Sequence, residues 1–187
     1  MDLVAVARNI AEGLLAKPLP RRWSHVQAVA AKSNKIRSIL SQQDQTVLVA
    51  AAWLHDIGYS PSVTETGLHA LDGARWLRDN GFAEPITNLV ANHSCATYEA
   101  DERGLGEELR REFPYQQSPL TDALWYADMT TGPIGQNLTV FDRLAEIRER
   151  YGPEDVVTRF WASAEPVLVA AVRRTEKRLA TAGIQPM

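Results

Sequence analysis

Apolar positions recur at helical spacing along most of the chain, and nowhere do they alternate with period two for long enough to predict a strand. Leu3, Val6, Ile10 and Leu14 mark a first helix over residues 3–16, ended by Lys17-Pro18-Leu19-Pro20. Val26, Val29, Ile36, Ile39 and Leu40 mark a second over 23–40, with His25 in its first turn. Ser41-Gln42-Gln43-Asp44 then resembles a capping box, with Asp in place of Glu, ahead of the apolar run 47–54. That run is apolar nearly all round, which predicts a central helix. Gly58 follows it at a position suited to a left-handed C-terminal cap.

A polar connector over 60–66 leads to a helix over 67–80, closed by Asn80-Gly81. Glu84-Pro85-Ile86 starts another, with the proline in its first turn, that runs to about His93. Residues 94–106 are the least regular stretch, with mixed charge and two glycines. They read either as a loop at the mouth of a site or as a mobile, solvated linker. A short charged helix over 105–113 follows. Ser118-Pro119 restarts the pattern as N-cap and first helical residue, and Leu120, Leu124 and Ala127 carry an apolar stripe to Asp128. Thr131-Gly132-Pro133-Ile134-Gly135 breaks it. Two closing helices, 139–150 and 154–182, are separated by Gly152-Pro153, and the second ends in a basic, solvated face of Arg173, Arg174, Lys177 and Arg178. The expectation is an all-α helical bundle in a single domain over 1–187, with a motif core at about 23–130 and closing helices within 139–182.

Composition narrows the partners more than the fold. The 187 residues are 45 % apolar and 23 % charged, enough for a substantial core. A net charge of -3 gives no basic footprint for nucleic acid, although a bound dication would reverse the local field for a phosphate-bearing ligand. Cys95 is the only cysteine, which excludes an internal disulfide and suits a reducing compartment. Asp2, Arg8 and Glu12 interrupt any signal-peptide core in the first fifteen residues, and no run approaches the ~18 to 20 apolar residues of a membrane helix. A cytoplasmic chain with neither nucleic-acid nor membrane partners is expected.

The candidate chemistry lies in the four histidines and two aspartates, His25, His55, Asp56, His69, His93 and Asp128. Each lies at a helix end or on an apolar helix, and all but the adjacent pair belong to different helices. An imidazole and a carboxylate side by side at the end of a buried helix are costly without a partner, and a metal ion suits both. Mixed N and O ligands from several helices suit Fe, Mn, Co, Ni or Zn. Six ligands exceed what one tetrahedral zinc uses and suit two ions with Asp56 bridging.

The ordered pattern resembles the HD-domain superfamily of metal-dependent phosphohydrolases. Ser24-His25-Val26, Trp53-Leu54-His55-Asp56-Ile57-Gly58, His69-Ala70-Leu71-Asp72-Gly73-Ala74, Asn92-His93-Ser94 and Tyr126-Ala127-Asp128-Met129 carry the resemblance. It implies that His25, His55, Asp56 and Asp128 hold a first divalent metal and that Asp56 bridges to a second on His69 and His93. Catalysis would centre on His55 and Asp56, through a metal-activated hydroxide attacking a small phosphorylated substrate, a nucleotide being the expected class. Within the superfamily the chain is most similar to the small bacterial group that cleaves diadenosine polyphosphates symmetrically. It departs from that group where Ile57-Gly58-Tyr59-Ser60 lacks a lysine after the His-Asp pair, and where Gly135 stands in place of a downstream arginine. Arg22, Arg75 and Arg143 are candidate phosphate contacts, and Thr130 and Thr131 candidate pocket residues. Gln27 resembles a glutamine of the HD-fold mixed-valent di-iron oxygenases, which gives a second reading; a non-catalytic regulatory module is a third.

Overall fold

A computed structural model describes residues 2–152 and 154–185. At its centre is α3 (Gln42–Leu54), whose Leu48, Val49, Ala50, Ala51, Ala52 and Leu54 are all buried. The three consecutive alanines leave room for α1 (Leu3–Leu15), α2 (Pro20–Ile36), α5 (Glu84–Ala91) and α8 (Pro119–Met129) to pack around it. Around these stand α4 (His69–Asp79), α6 (Ala96–Glu102), α7 (Gly106–Glu112), α9 (Val140–Tyr151) and α10 (Val156–Thr181). The all-α expectation holds: among the described residues there is no strand, only an isolated bridge between Thr131 and Asn137. No described helix is long and apolar enough to cross a membrane.

Apolar burial divides into two clusters. One joins α8, α9 and α10, and includes Leu124, Trp125, Phe160, Trp161 and Leu168. The other joins α1, α4, α5 and α7, and includes Leu15, Leu71, Leu77, Val90 and Phe113. Helices α2 and α3 contribute to both, with Val29 and Ala51 on one side and Val26 and Leu54 on the other. The end of this shared wall carries the site.

Local chemistry accounts for most helix ends. Ser41, Ser118 and Thr139 accept hydrogen bonds from the backbone N–H groups of Asp44, Thr121 and Asp142, and the Thr139–Asp142 capping box is complete. At α3 only half of the expected box forms, because the Asp44 carboxylate takes the Ser41 hydroxyl instead of its backbone N–H. Pro85 and Pro119 occupy first-turn positions as expected.

Three expectations change. Residues 94–106 are not an irregular loop. After a kink at Ser94 and Cys95 they form α6, whose Ala96 and Ala100 bury one face while Arg103 bonds the Glu99 carboxylate one turn back. The C-terminal basic face is only partly solvated, since Arg174 and Arg178 both bond the buried Asp122 of α8. Gly58, finally, is not a left-handed cap. It lies in the 3-10 turn Ile57–Tyr59, where a Cβ would fall 1.9 Å from the carbonyl oxygen of His69 and 2.8 Å from the amide nitrogen of Gly73. Glycine is needed there for close backbone approach, which seats α4 against the end of α3.

A second link to α4 is ionic. Glu112 of α7 accepts from Arg75 at 2.6 Å and from Arg78 at 2.8 Å. These two guanidiniums, Arg75 the stronger, pull the Glu112 carboxyl down to about 2 against the opposing effect of burial.

Two predictions follow from these contacts. Gly58→Ala should destabilise the fold by about 3 kcal/mol in urea unfolding, because a backbone carbonyl cannot yield to the added methyl. Glu112→Gln should cost about 1 kcal/mol at neutral pH, since the network is partly exposed and screened. A depressed carboxyl stabilises the fold above its unfolded pKa, so the gap between parent and variant should narrow as pH falls below about 4.5 and close near 2. Thermal unfolding at several pH values checks this.

Candidate metal centre

Five of the six chemistry-bearing residues stand at or next to element ends, and His25 projects from the second turn of α2. His55 caps α3, Asp56 opens the turn Ile57–Tyr59, and His69 is the first residue of α4. His93 opens the 3-10 turn His93–Cys95, and Asp128 is the penultimate residue of α8. The structure brings all six together. Five are buried, and the side chain of His69 retains 12 % exposure.

Backbone carbonyls orient three of the imidazoles. Nδ1 of His25 lies 3.0 Å from the Gly132 oxygen, Nδ1 of His55 2.9 Å from that of Ala52, and Nδ1 of His93 2.6 Å from that of Val90. A carbonyl only accepts, so each Nδ1 carries a hydrogen and each ring turns its Nε2 inward. Those nitrogens meet carboxylates. His25 Nε2 is 2.9 Å from Asp128 Oδ1. His55 Nε2 is 3.4 Å from Asp56 Oδ2 and 3.8 Å from Asp128 Oδ1, yet makes no hydrogen bond with any described residue. Acceptors face one another this closely only with a proton or a cation between them.

Asp56 lies between two groups of ligand atoms. Its Oδ2 faces His55 and, at 3.9 Å, His25. Its Oδ1 is 3.8 Å from Nε2 of both His69 and His93, which are themselves 3.1 Å apart. The resulting triads are His25–His55–Asp128 and Asp56–His69–His93. Buried imidazole lone pairs and carboxylates, with the rings fixed from behind by carbonyls, form a donor set that fits a divalent cation.

Electrostatics agree with this fit. Burial would raise the Asp56 carboxyl, but Arg22 and then His55 outweigh it and hold Asp56 well below the usual carboxylate range. Burial would likewise raise Asp128, and the His25 hydrogen bond and the His55 charge pull it down. Burial would lower His55, but Asp56 and Asp128 outweigh it and lift the ring to about 9. Burial and their neighbouring imidazoles push His69 and His93 down, which keeps both neutral. The centre demands positive charge beside its carboxylates and offers uncharged nitrogens on the other flank.

The remaining sequence candidates separate. Arg22 donates to Asp56 Oδ2 at 2.7 Å while lying 3.8 Å over the Tyr59 ring, and it lines the cavity above the cluster together with Arg143. Arg75 does not line that cavity, being held by Glu108 and Glu112 on α7. Thr130 and Thr131 also do not line it. Their hydroxyls donate to the Tyr126 and Ala127 carbonyls one turn back and finish α8. Gln27 is on the exposed face of α2, so the residue that suggested oxygenase chemistry does not face the centre.

Three contributors were not legible as site residues. Ser94 donates to Asp128 Oδ2 from a backbone at φ +45°, with Cys95 following at +62°. Two consecutive left-handed non-glycine residues store strain directly after His93. Tyr59 stacks on His69 with centroids 4.0 Å apart. Lys32 is buried and donates to the Thr130 carbonyl and hydroxyl at 2.5 and 2.8 Å, tying α2 to the end of α8 beside Asp128. Burial moves its ammonium down to about 8. Only Ser94 left a sequence signal, as the neighbour of His93.

A family model described as HD domain matches residues 22–130, more than half of the chain. That span begins at Arg22 and contains every residue of both triads. Neither the curated proteins nor the solved structures provide a match. From its His/Asp cluster and from this match, the chain belongs to the HD domain family, whose members are generally metal-dependent hydrolases.

Proposed function

We propose that the protein is a metal-dependent phosphohydrolase acting on a nucleotide or a related small phosphorylated molecule, built as one domain around a two-ion centre. The observation that carries this reading is Asp56, whose two oxygens face two separate groups of imidazoles. His25, His55, Asp56 and Asp128 would hold one divalent transition-metal ion, and Asp56, His69 and His93 the other. Bound ions supply Lewis acidity towards phosphoryl oxygens and a water of lowered pKa.

The chain's own groups account for the rest. Arg22 is fixed by Asp56 on one side and the Tyr59 ring on another, so its guanidinium meets a phosphoryl oxygen at little cost in side-chain order. Ser94 occupies the second oxygen of Asp128 and leaves Oδ1 directed at His25 and His55. A cavity of about 70 Å³ opens onto the cluster, walled by Tyr151, Phe160 and Trp161, and these aromatics exclude bulk water and strengthen the charges beneath. Gly135 has φ +88°, and a Cβ there would lie 3.1 Å from the Ala28 methyl and 3.3 Å from the Ser24 carbonyl oxygen, so the arginine of the diadenosine-polyphosphate group would be strained at this position. The phosphate-binding cations of this chain come instead from α2 and α9.

Metal analysis of the protein as purified, with a phosphoester and nucleotide panel under added Mn, Co, Ni or Fe, tests the reading. Asp56→Ala should lose both bound metal and at least about 10³-fold in turnover, since it removes a ligand of both ions. Full metal content and turnover in that variant would rule out the assignment. Ser94→Gly should be more stable than Ser94→Ala by about 1 kcal/mol, because only glycine relieves the positive φ, while both variants lose the bond to Asp128. Urea unfolding measures that difference.

A further inference from the structure

Two cavities adjoin along α9. The one over the cluster, about 70 Å³, holds on the order of five waters, enough for a phosphoryl group and its attacking water but not for a nucleoside. Whatever is bonded to that phosphoryl group must therefore extend out of it. The adjoining groove, about 290 Å³, runs over Pro18, Leu19, Pro20 and Pro133 and reaches His25. Arg22, Arg143 and Arg150 line both spaces, and Arg21 lines the groove.

The charge in this groove is not neutralised. Asp56 pairs with Arg22, and Glu146 pairs with Arg143 at 2.5 Å and, more loosely, with Arg150 at 3.5 Å. Arg21 makes no ion pair with any described residue. Two carboxylates thus pair with three of the four guanidiniums, and no carboxylate lines the groove itself. Arg143 is itself buried, and its Nε has no hydrogen-bond partner among the described residues. Charged side chains are rarely held so close together, one of them desolvated and only partly bonded, without an anion to meet them.

We infer that the arginine groove is a leaving-group subsite for a second phosphate, so that the substrate class is a phosphoanhydride and not a simple phosphomonoester. This rests on the phosphohydrolase reading above. The water oxygen forms a bond to the phosphorus at the cluster, and the bridging P–O bond breaks with its electron pair on the departing phosphate. The proton of the water passes to solvent. The charge that grows on the departing phosphate falls on Arg143, Arg150 and Arg21, whose donors favour the transition state over the ground state. The proline and leucine floor beyond suits the uncharged body of the leaving group.

Calorimetric binding of methylphosphonate and methylenediphosphonate to the full chain, with Mn²⁺ in excess over each probe, tests the inference. Neither probe can be cleaved as a phosphoanhydride. The diphosphonate should bind at least about tenfold more tightly, as one added charge-assisted contact implies. In Arg21→Ala/Arg150→Ala the ratio of the two affinities should fall below about threefold; Arg21→Ala alone, at an exposed position, should lower it in the same direction if the double variant fails to fold. A ratio near one in the parent, or an undiminished ratio in the variants, overturns the groove and leaves the phosphohydrolase reading standing. Failure of the parent to bind methylphosphonate, or equal binding by Asp56→Ala, overturns that reading and the groove with it.

Discussion

The centre depends on imidazole hydrogens held by backbone carbonyls. With Nδ1 of His25, His55 and His93 bonded to Gly132, Ala52 and Val90, the rings cannot relieve their contacts with Asp56 and Asp128 by changing tautomer. The Nε2 atoms must point inward, and the carboxylates must stay ionised against their own burial. Buried carboxylates cost free energy that their partners must offset: Arg22 pairs with Asp56 at 2.7 Å, and His25 and Ser94 bond the two oxygens of Asp128. The alanine run of α3 permits this crowding, since larger residues at 50–52 would hold α2 and α8 too far apart for His25 and Asp128 to meet at 2.9 Å.

Around the cluster, the supporting contacts come from elements distant in sequence. Lys32 fixes the end of α8 from α2, Ser94 fixes Asp128 from the turn after α5, and Gly58 lets α4 approach closely enough to present His69. Each joins a ligand-bearing element to a different neighbour. Tyr59 is half-buried, and desolvation pushes its phenol up and keeps it neutral, so it can lie between Arg22 and His69 without competing for the carboxylates. Orientation is thereby fixed from several directions, as a centre that must hold its ligands within fractions of an ångström requires.

Helix type, most helix boundaries and the six clustered residues were legible because they depend on local period and on residue type. His55-Asp56 at the end of an apolar run needed no tertiary knowledge to look anomalous. What was hidden depended on partners. Gly58 read as a turn glycine because its real constraint, the His69 carbonyl, is eleven residues away. Arg75 and Arg143 looked equivalent as candidate phosphate contacts until Glu108 and Glu112 claimed the first and α9 turned the second into the cavity. Residues 94–106 carry mixed charge that masks the Ala96–Ala100 face of α6, and the positive φ of Ser94 and Cys95 leaves no compositional trace where glycine is absent.

The family match also marks a division of labour within the chain. Every residue of both triads lies within 22–130, whereas Arg143, Arg150, Tyr151, Phe160 and Trp161 lie outside it and line the cavity above the cluster. A shared set of ligands can activate water for many phosphorylated molecules, so discrimination must come from what surrounds them. In this chain the surround of the cluster includes Arg143, Arg150 and Tyr151 of α9 and Phe160 and Trp161 of α10. Helix α10 is bonded to Asp122 of α8 through Arg174 and Arg178, which ties the aromatic wall to the same helix that carries Asp128. The wall of the cavity and the Asp128 end of the cluster are therefore tied to one helix, and any shift of α8 that misplaces Asp128 also moves the wall.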